Sequence, residues 1–478
     1  MGEEAGSGLR KWAEEEFGGA MMSDWRMQER VILIGEAMAS QPGVGIGEMF
    51  GRVADVRAAY RFLEHEEATP ENLRHGHQEG VELRMREAGV YLMLEDTTEV
   101  ECNGGGGIEG LGPIGGSRTA GRGFLLHTTL VVKWEENGER ARRPGVEIIG
   151  IGAQQYRVRE LQPVETKGKG SRRRSGGSEV ESELWEEGVA AVGSAPSGVR
   201  WVKITDRGGD IYDHLKACQE AGFGYVIRAK SDRVELDSEG VKTGAKLFET
   251  VRGSVSLGQM GLKLRSRPTQ PARTAILDVS VTTLRLRSPA AAGFSPGKRP
   301  PLEVTVVRAW EATPPANVTP LEWVLLTDHP VTTLDQVIEV VRMYATRWLE
   351  EEFHKALKTG MGLEQHQLKS AAAWFALTAM MSIAALRLIS LREVGLTSPL
   401  EPPSASGLTS LELDVLAART ASSLTSVREV LLALARLGGH LNRSSDGPPG
   451  WIVLWRGYLR LQYIIEGVQI ARKLTSYG

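Results

Sequence analysis

Cysteine is almost absent. Two in 478 residues, Cys102 and Cys218, cannot build a disulfide framework or a four-ligand zinc centre, and they suit a reducing compartment in which both stay as free, buried thiols. A surplus of one charge is missing too. Against 57 Lys and Arg stand 60 Asp and Glu, a net charge of −3, so bulk charge makes no case for nucleic acid and basic patches must be local. No uncharged apolar run reaches the roughly 20 residues that a bilayer requires. The longest, Ala371 to Leu386, ends at Arg387 and reads as a buried helix. The opening MGEEAGSGLRKWAEEEF has no apolar signal core and no arginine-rich transit pattern, so a cytoplasmic protein is expected. No internal repeat is visible. What is present is an ordinary folding composition, 41% hydrophobic and 24% charged, on a chain too long for one compact core; two or three domains are expected.

The first 88 residues read as a small helical domain. SDWRMQERVILIGEAMAS, from Ser23, has a serine cap, an early Asp and apolar residues at helical spacing, and further helices are expected at about Val53 to Glu64 and Pro70 to Ala88. The texture then changes to strands: YLMLEDTTEV from Tyr91, FLLHTTLVVKW from Phe124 and VEIIGIGAQQYRV from Val146. A helix ESELWEEGVAAV, a strand VRWVKITD, a helix IYDHLKACQEAG and a strand YVIRAK follow, which describes a mixed α/β sheet. Residues 234–319 read as a β-rich insertion. The strand EWVLLTD then leads to one long helix, about Thr333 to Lys358, and residues 396–478 are helices separated by Pro/Gly/Ser loops. The middle region, 89–395, thus reads as a mixed α/β domain between two helical ones.

Three places carry possible chemistry. On a continuous helix advancing about 100° per residue, Arg347, Glu351 and Lys358 fall within roughly 60° of Tyr344, so a phenol, two cations and a carboxylate share one face while Leu349, Phe353 and Leu357 point to a core. On spacing alone, that face is either a solvated surface with an Arg–Glu pair or a functional one. Asp96 in LMLEDTTEV and Asp206 in VKITDRGGD each end an apolar strand. A single such Asp is usually a turn former or cap. Two of them with a helix-borne Glu form an all-oxygen donor set for hard divalent cations and suggest two-metal phosphoryl chemistry.

These residues carry a resemblance. EDTTEV, ITDRGGDIYDHL, and WVLLTDHPV followed by YATRWLEEEFHKALKTG resemble the three catalytic blocks of the DDE-class transposases of the insertion-sequence-four family, and the similarity extends over nearly the whole chain. The family's Tyr, Arg, Glu, Lys signature is met by Tyr344, Arg347, Glu351 and Lys358. Glu350 and Glu352 flank the third acid, and it is the resemblance that selects Glu351.

The resemblance implies an α/β, RNase H-like mixed-sheet core with a β-strand insertion, flanked by an N-terminal helical DNA-binding domain and a C-terminal helical dimerisation region. It implies Asp96, Asp206 and Glu351 as catalytic ligands of two divalent ions, Mg²⁺ or Mn²⁺. Tyr344, Arg347 and Lys358 would grip terminal phosphates. Trp323 and Trp348 would offer aromatic faces to a flipped base, whereas without the resemblance two such tryptophans read as core residues. Arg207, Arg228 and Lys230 are expected on backbone phosphates, and Arg26, Arg30 and Arg61 in the domain that binds terminal inverted repeats. His127 and His354 also match family positions, where a structural role is the commoner one. The basic run KGKGSRRRSGGS, Lys167 to Ser178, is a flexible loop or a DNA contact, and it departs from the family together with the extra Gly104 to Gly107. Trp451, Trp455 and Tyr458 suit a dimer face or an ordinary helical core. The partners implied are double-stranded DNA and a second copy of the chain. The acids alone would also serve a nuclease without strand transfer, and a non-catalytic DNA-binding relative is the remaining alternative.

Overall fold

A computed structural model describes residues 7–102, 108–115, 121–135, 146–160, 176–264, 272–291, 293–443 and 447–475. It opens with five helices: α1 (Ser7–Phe17), α2 (Trp25–Ser40), α3 (Ile46–Met49), α4 (Val53–Leu63) and α5 (Pro70–Arg84). The cap of α2 is Asp24 and not the expected serine: its carboxylate accepts from the Arg26 amide at 2.7 Å, while Ser23 donates to Glu67. α5 starts on the Thr69 cap with Pro70 in its first turn, where a missing N–H costs nothing, and stops at Arg84, short of the expected Ala88.

Strands β1 (Gly89–Glu101), β2 (Gly112–Pro113), β3 (Arg122–Trp134) and β4 (Val146–Arg157) follow, then α6 (Gly176–Val192), β5 (Val199–Thr205), α7 (Tyr212–Glu220) and β6 (Gly224–Arg228). The expected β-rich stretch comprises β7 (Val234–Leu236), β8 (Lys242–Lys246), α8 (Leu247–Arg252), β9 (Gly258–Leu264), β10 (Arg273–Leu286) and β11 (Leu302–Trp310), and β12 (Glu322–Thr327) comes next. Among the described residues six α-helices follow: α9 (Leu334–Ala345), α10 (Trp348–Lys355), α11 (Ala371–Thr397), α12 (Ser410–Thr420), α13 (Val427–Leu437) and α14 (Trp451–Thr475).

The long helix expected from Thr333 to Lys358 is two helices. The Thr346 hydroxyl bonds back to the Met343 carbonyl at 2.6 Å and the Arg347 amide reaches the Tyr344 carbonyl at 3.1 Å, which tightens the backbone and ends α9. After α10 the chain widens into a π turn over Ala356–Gly360. The helical phase is thus interrupted between Tyr344 and Lys358, whereas the single-face placement of Tyr344, Arg347, Glu351 and Lys358 assumed one unbroken helix.

The chain divides into two compact units. One comprises Ala88–Asp96 and Arg172–Leu349, the other Met1–Glu87, Thr97–Ser171 and Glu350–Gly478. In the first, the strand order is β1-β5-β6-β12-β11-β10-β7-β8, with β9 paired to β10. β1, β5 and β6 run parallel and the rest antiparallel, a large mixed sheet. The parallel strands are near-continuous apolar runs, as burial on both faces requires: Tyr91, Leu92, Leu94, Val202, Ile204, Tyr225 and Val226 are all interior.

In the second unit, β3 and β4 form an antiparallel pair, and α11 packs against β4 and α5. α11 has apolar residues on every side, as a largely buried helix does. By length and composition it could cross a membrane, but 83% of its most apolar window is buried inside the protein. Tyr458 belongs to an ordinary helical core with Leu434, Leu454 and Leu461, Trp451 is buried, and the Trp455 indole donates to the Pro42 carbonyl at 3.2 Å. Both cysteines are buried, and burial pushes each thiol up to about 12, which leaves them inert.

Candidate active site and nucleic-acid interface

Parallel pairing brings the first two acids to neighbouring positions. β1 and β5 are in register from Gly89 opposite Val199 to Glu95 opposite Thr205, so Asp96 and Asp206 are the next residues on adjacent strands. Asp206 stands where sequence places it, directly after β5. Asp96 does not end its strand, because β1 continues to Glu101; it marks instead where pairing with β5 stops. The same register extends one strand further. Thr205 pairs with Ile227, which puts Arg228 beside the Asp206 position.

Asp206 is held by the turn that it starts. Its Oδ1 accepts from the Gly208 amide at 2.6 Å, and a Cβ on Gly208 would lie 2.9 Å from both that oxygen and the Trp185 ring, so only glycine fits. Arg347, just past the end of α9, brings Nη1 to 3.7 Å from Asp96 Oδ2. Tyr344 is 4% exposed, with its ring edge-on to Trp323 at 4.9 Å. Burial pushes its phenol up, opposed by the Arg347 and Arg228 charges and reinforced by Asp206, which places all four within electrostatic reach. The Arg228 guanidinium also donates to the Glu322 carbonyl at 3.1 Å. Asp96, Asp206, Arg228, Trp323, Tyr344 and Arg347 thus gather in one unit. Trp348 is half-buried, and Arg207 and Lys230 are exposed.

Two supporting residues escaped sequence reasoning. Asp210, buried, accepts from the Lys230 and Ser231 amides at 2.6 and 2.7 Å and pairs with the Arg233 guanidinium. This fixes the turn that follows Arg228. The available signal was the second acid of DRGGD, four residues after Asp206.

In the other unit, exposure separates the three glutamates of α10: Glu351 is exposed, Glu352 half-buried, and Glu350 fully buried with His354 Nε2 at 3.2 Å. Lys358 is half-buried, 3.1 Å from Glu364 and bonded to the Glu99 carbonyl. His127 is buried and bonded to the Thr97 hydroxyl at 2.8 Å, a structural role.

Carboxylates on adjacent strands suit a hard divalent cation in donor chemistry. Among the described residues, no three His, Cys, Asp or Glu side chains come together closely enough to hold a metal ion.

On the N-terminal helices, Arg26 and Arg61 are exposed, as are Arg52, Arg57 and Tyr60, which sequence reasoning did not single out. Trp25 is 74% exposed with the Arg26 guanidinium 5.7 Å from its ring, and Arg30 lies 3.6 Å from Asp55. Cations and aromatic faces at the surface suit a polyanion with stackable bases. Residues 9–68 match the family described as transposase DNA-binding. That match supports a transposase with DNA as a partner, and it spans the helices that carry these arginines. The basic run from Lys167 lies outside the described residues through Ser175, as do Gly104 to Gly107; Gly176 to Ser178 begin α6.

Proposed function

We propose that this chain is a cytoplasmic cut-and-paste DNA transposase of the insertion-sequence-four family, resembling in particular the Tn-five transposase, with an RNase H-like catalytic sheet. It binds terminal inverted repeats, nicks the transposon end, uses the freed 3′-hydroxyl to form a hairpin, opens that hairpin and joins the 3′ ends to target DNA. The observation that carries this reading is the register of β1, β5 and β6, which delivers Asp96, Asp206 and Arg228 side by side in the unit that also holds Arg347, Tyr344 and Trp323.

Asp96 and Asp206, with Glu351 as the third acid, would hold two divalent ions, Mg²⁺ or Mn²⁺, which would supply activation of water or a 3′-hydroxyl and stabilisation of the leaving oxygen. The chain's own residues bind and orient. Arg347, poised against Asp96, exchanges a carboxylate for a DNA phosphate, to which its planar fork is suited. Arg228, Arg207, Lys230 and Lys358 add backbone contacts. Tyr344, being buried, acts through its hydroxyl and by fixing the Trp323 ring, which with Trp348 receives an unstacked base. The N-terminal arginines recognise the end. A second copy joins through the C-terminal helices, where Tyr463, Ile470 and Leu474 of α14 are exposed apolar residues.

The test is a labelled duplex carrying the inverted repeats that flank the gene, incubated with purified protein and Mg²⁺ or Mn²⁺ beside Glu351→Ala. End cleavage with hairpin and joined products, absent in the variant, is the expected result. Cleavage without joining would point to a nuclease, and binding without cleavage to a non-catalytic relative.

A further inference from the structure

An ionic cluster lies directly behind the two strand-borne acids and takes no part in the steps above. Glu95, Lys203 and His214 are each 0% exposed. The Lys203 ammonium donates to Glu95 Oε1 and, at 3.1 Å, to the Gly188 carbonyl, and sits 5.2 Å from the centre of the Phe223 ring. His214 Nε2 lies 3.8 Å from Glu95 Oε2, and its ring packs on Trp185 at 5.6 Å. Removing two charges from water costs more than their attraction commonly returns, and apolar residues of similar shape serve stability as well or better. Stability alone therefore gives no reason for this cluster.

Its placement gives one. Met93 pairs with Lys203 and Glu95 with Thr205, so the Glu95 and Lys203 side chains are diagonal neighbours on one face of the sheet, and their pair ties β1 to β5 at the level where the acids emerge. Glu95 immediately precedes Asp96. His214 reaches the other acid: its Nδ1–H donates to the Gly209 carbonyl at 2.9 Å, within the turn whose Gly208 amide holds Asp206 at 2.6 Å. The turn has no slack, since a Cβ on Gly209 would fall 2.1 Å from the Thr205 hydroxyl.

We propose that Glu95, Lys203 and His214 are positioning residues that set the Asp96 and Asp206 carboxylates relative to one another for phosphoryl transfer. The proposal rests on the transposase reading and adds to it the device that preorganises its acids.

The test uses the full-length protein. Glu95→Gln/Lys203→Met removes both charges with little change of shape. His214→Phe keeps the ring against Trp185 but loses the donor to Gly209, and His214→Asn restores a donor at that place. Four quantities are read: the melting temperature, the dissociation constant for an end duplex, Mn²⁺ affinity by calorimetry without DNA, and the single-turnover cleavage rate. The double variant is expected to melt no lower than wild type and to bind ends equally, with Mn²⁺ affinity and cleavage each reduced about 10- to 100-fold. His214→Phe should show the same pattern, whether or not the double variant folds, and His214→Asn should recover most of the loss. Wild-type metal affinity and rate in folded variants, or losses that follow the melting temperature alone, would overturn the positioning role and leave the transposase reading standing. A wild-type protein that cleaves no end with either metal would overturn both.

Discussion

The helices within residues 9–68 and the parallel strands β1, β5 and β6 handle charge in opposite ways. On or beside the helices, Arg26, Arg52, Arg57 and Arg61 stand at the surface. Around the strands, charge is paired: Glu95 with Lys203 and Asp210 with Arg233 are withdrawn from water, and half-buried Asp96 faces Arg347. On the proposed transposase reading, the difference follows from the task. A surface that meets a polyanion works through net positive potential and tolerates side-chain motion. A site that does chemistry needs its groups fixed before the substrate arrives.

That contrast can be broken in graded steps. Asp210→Ala should have the largest effect on stability, about 3–5 kcal/mol in chemical denaturation, because it strands the buried Arg233 guanidinium and frees the Lys230 and Ser231 amides. Asp24→Ala, at the cap of α2, should cost about 1 kcal/mol by the same measurement. Glu322→Gln should cost less again, about 0.5 kcal/mol near neutral pH, since the pair is partly exposed. The Arg252 guanidinium, aided by Arg308, holds the Glu322 carboxyl below its ordinary range, so this contribution exists above the unfolded carboxylate pKa and disappears as pH falls through the lowered one. The deficit of Glu322→Gln should accordingly shrink on acidification. Arg57→Ala and Arg61→Ala should change stability by no more than about 0.5 kcal/mol. Each should still weaken end binding and flatten the dependence of log affinity on log salt by about 1.

The elements were legible where pattern and period agreed. The apolar runs of β1, β5 and β6 and the acids beside them could be read directly, because parallel strands buried on both faces leave few polar positions to confuse the signal. The break after Tyr344 was hidden. It depends on a threonine side chain bonding its own helix, and Thr346 in YATRW looks no different from a threonine that tolerates helix. Asp24 could not be told from Ser23 as a cap, since the choice turned on Glu67, distant in sequence. Tyr458 could be core or interface until partners such as Leu434 were known. For the site, residue types and spacing nominated Asp96 and Asp206, but only strand register sets them side by side. The cluster behind them was out of reach, because Lys203 in WVKIT reads as an ordinary solvent-facing lysine in a strand.

On the proposed function, recognition and chemistry reside in separate parts of the molecule, with Asp206 at the chemical one. The most direct measurement is the single-turnover cleavage rate of an already bound DNA end by Asp206→Asn, with the dissociation constant determined on the same preparation. The expected rate is at least about 100-fold lower with affinity within about twofold of wild type, since losing a ligand should exceed the loss of an outer partner. Cleavage that survives the substitution, or binding lost together with it in a folded protein, would contradict this reading.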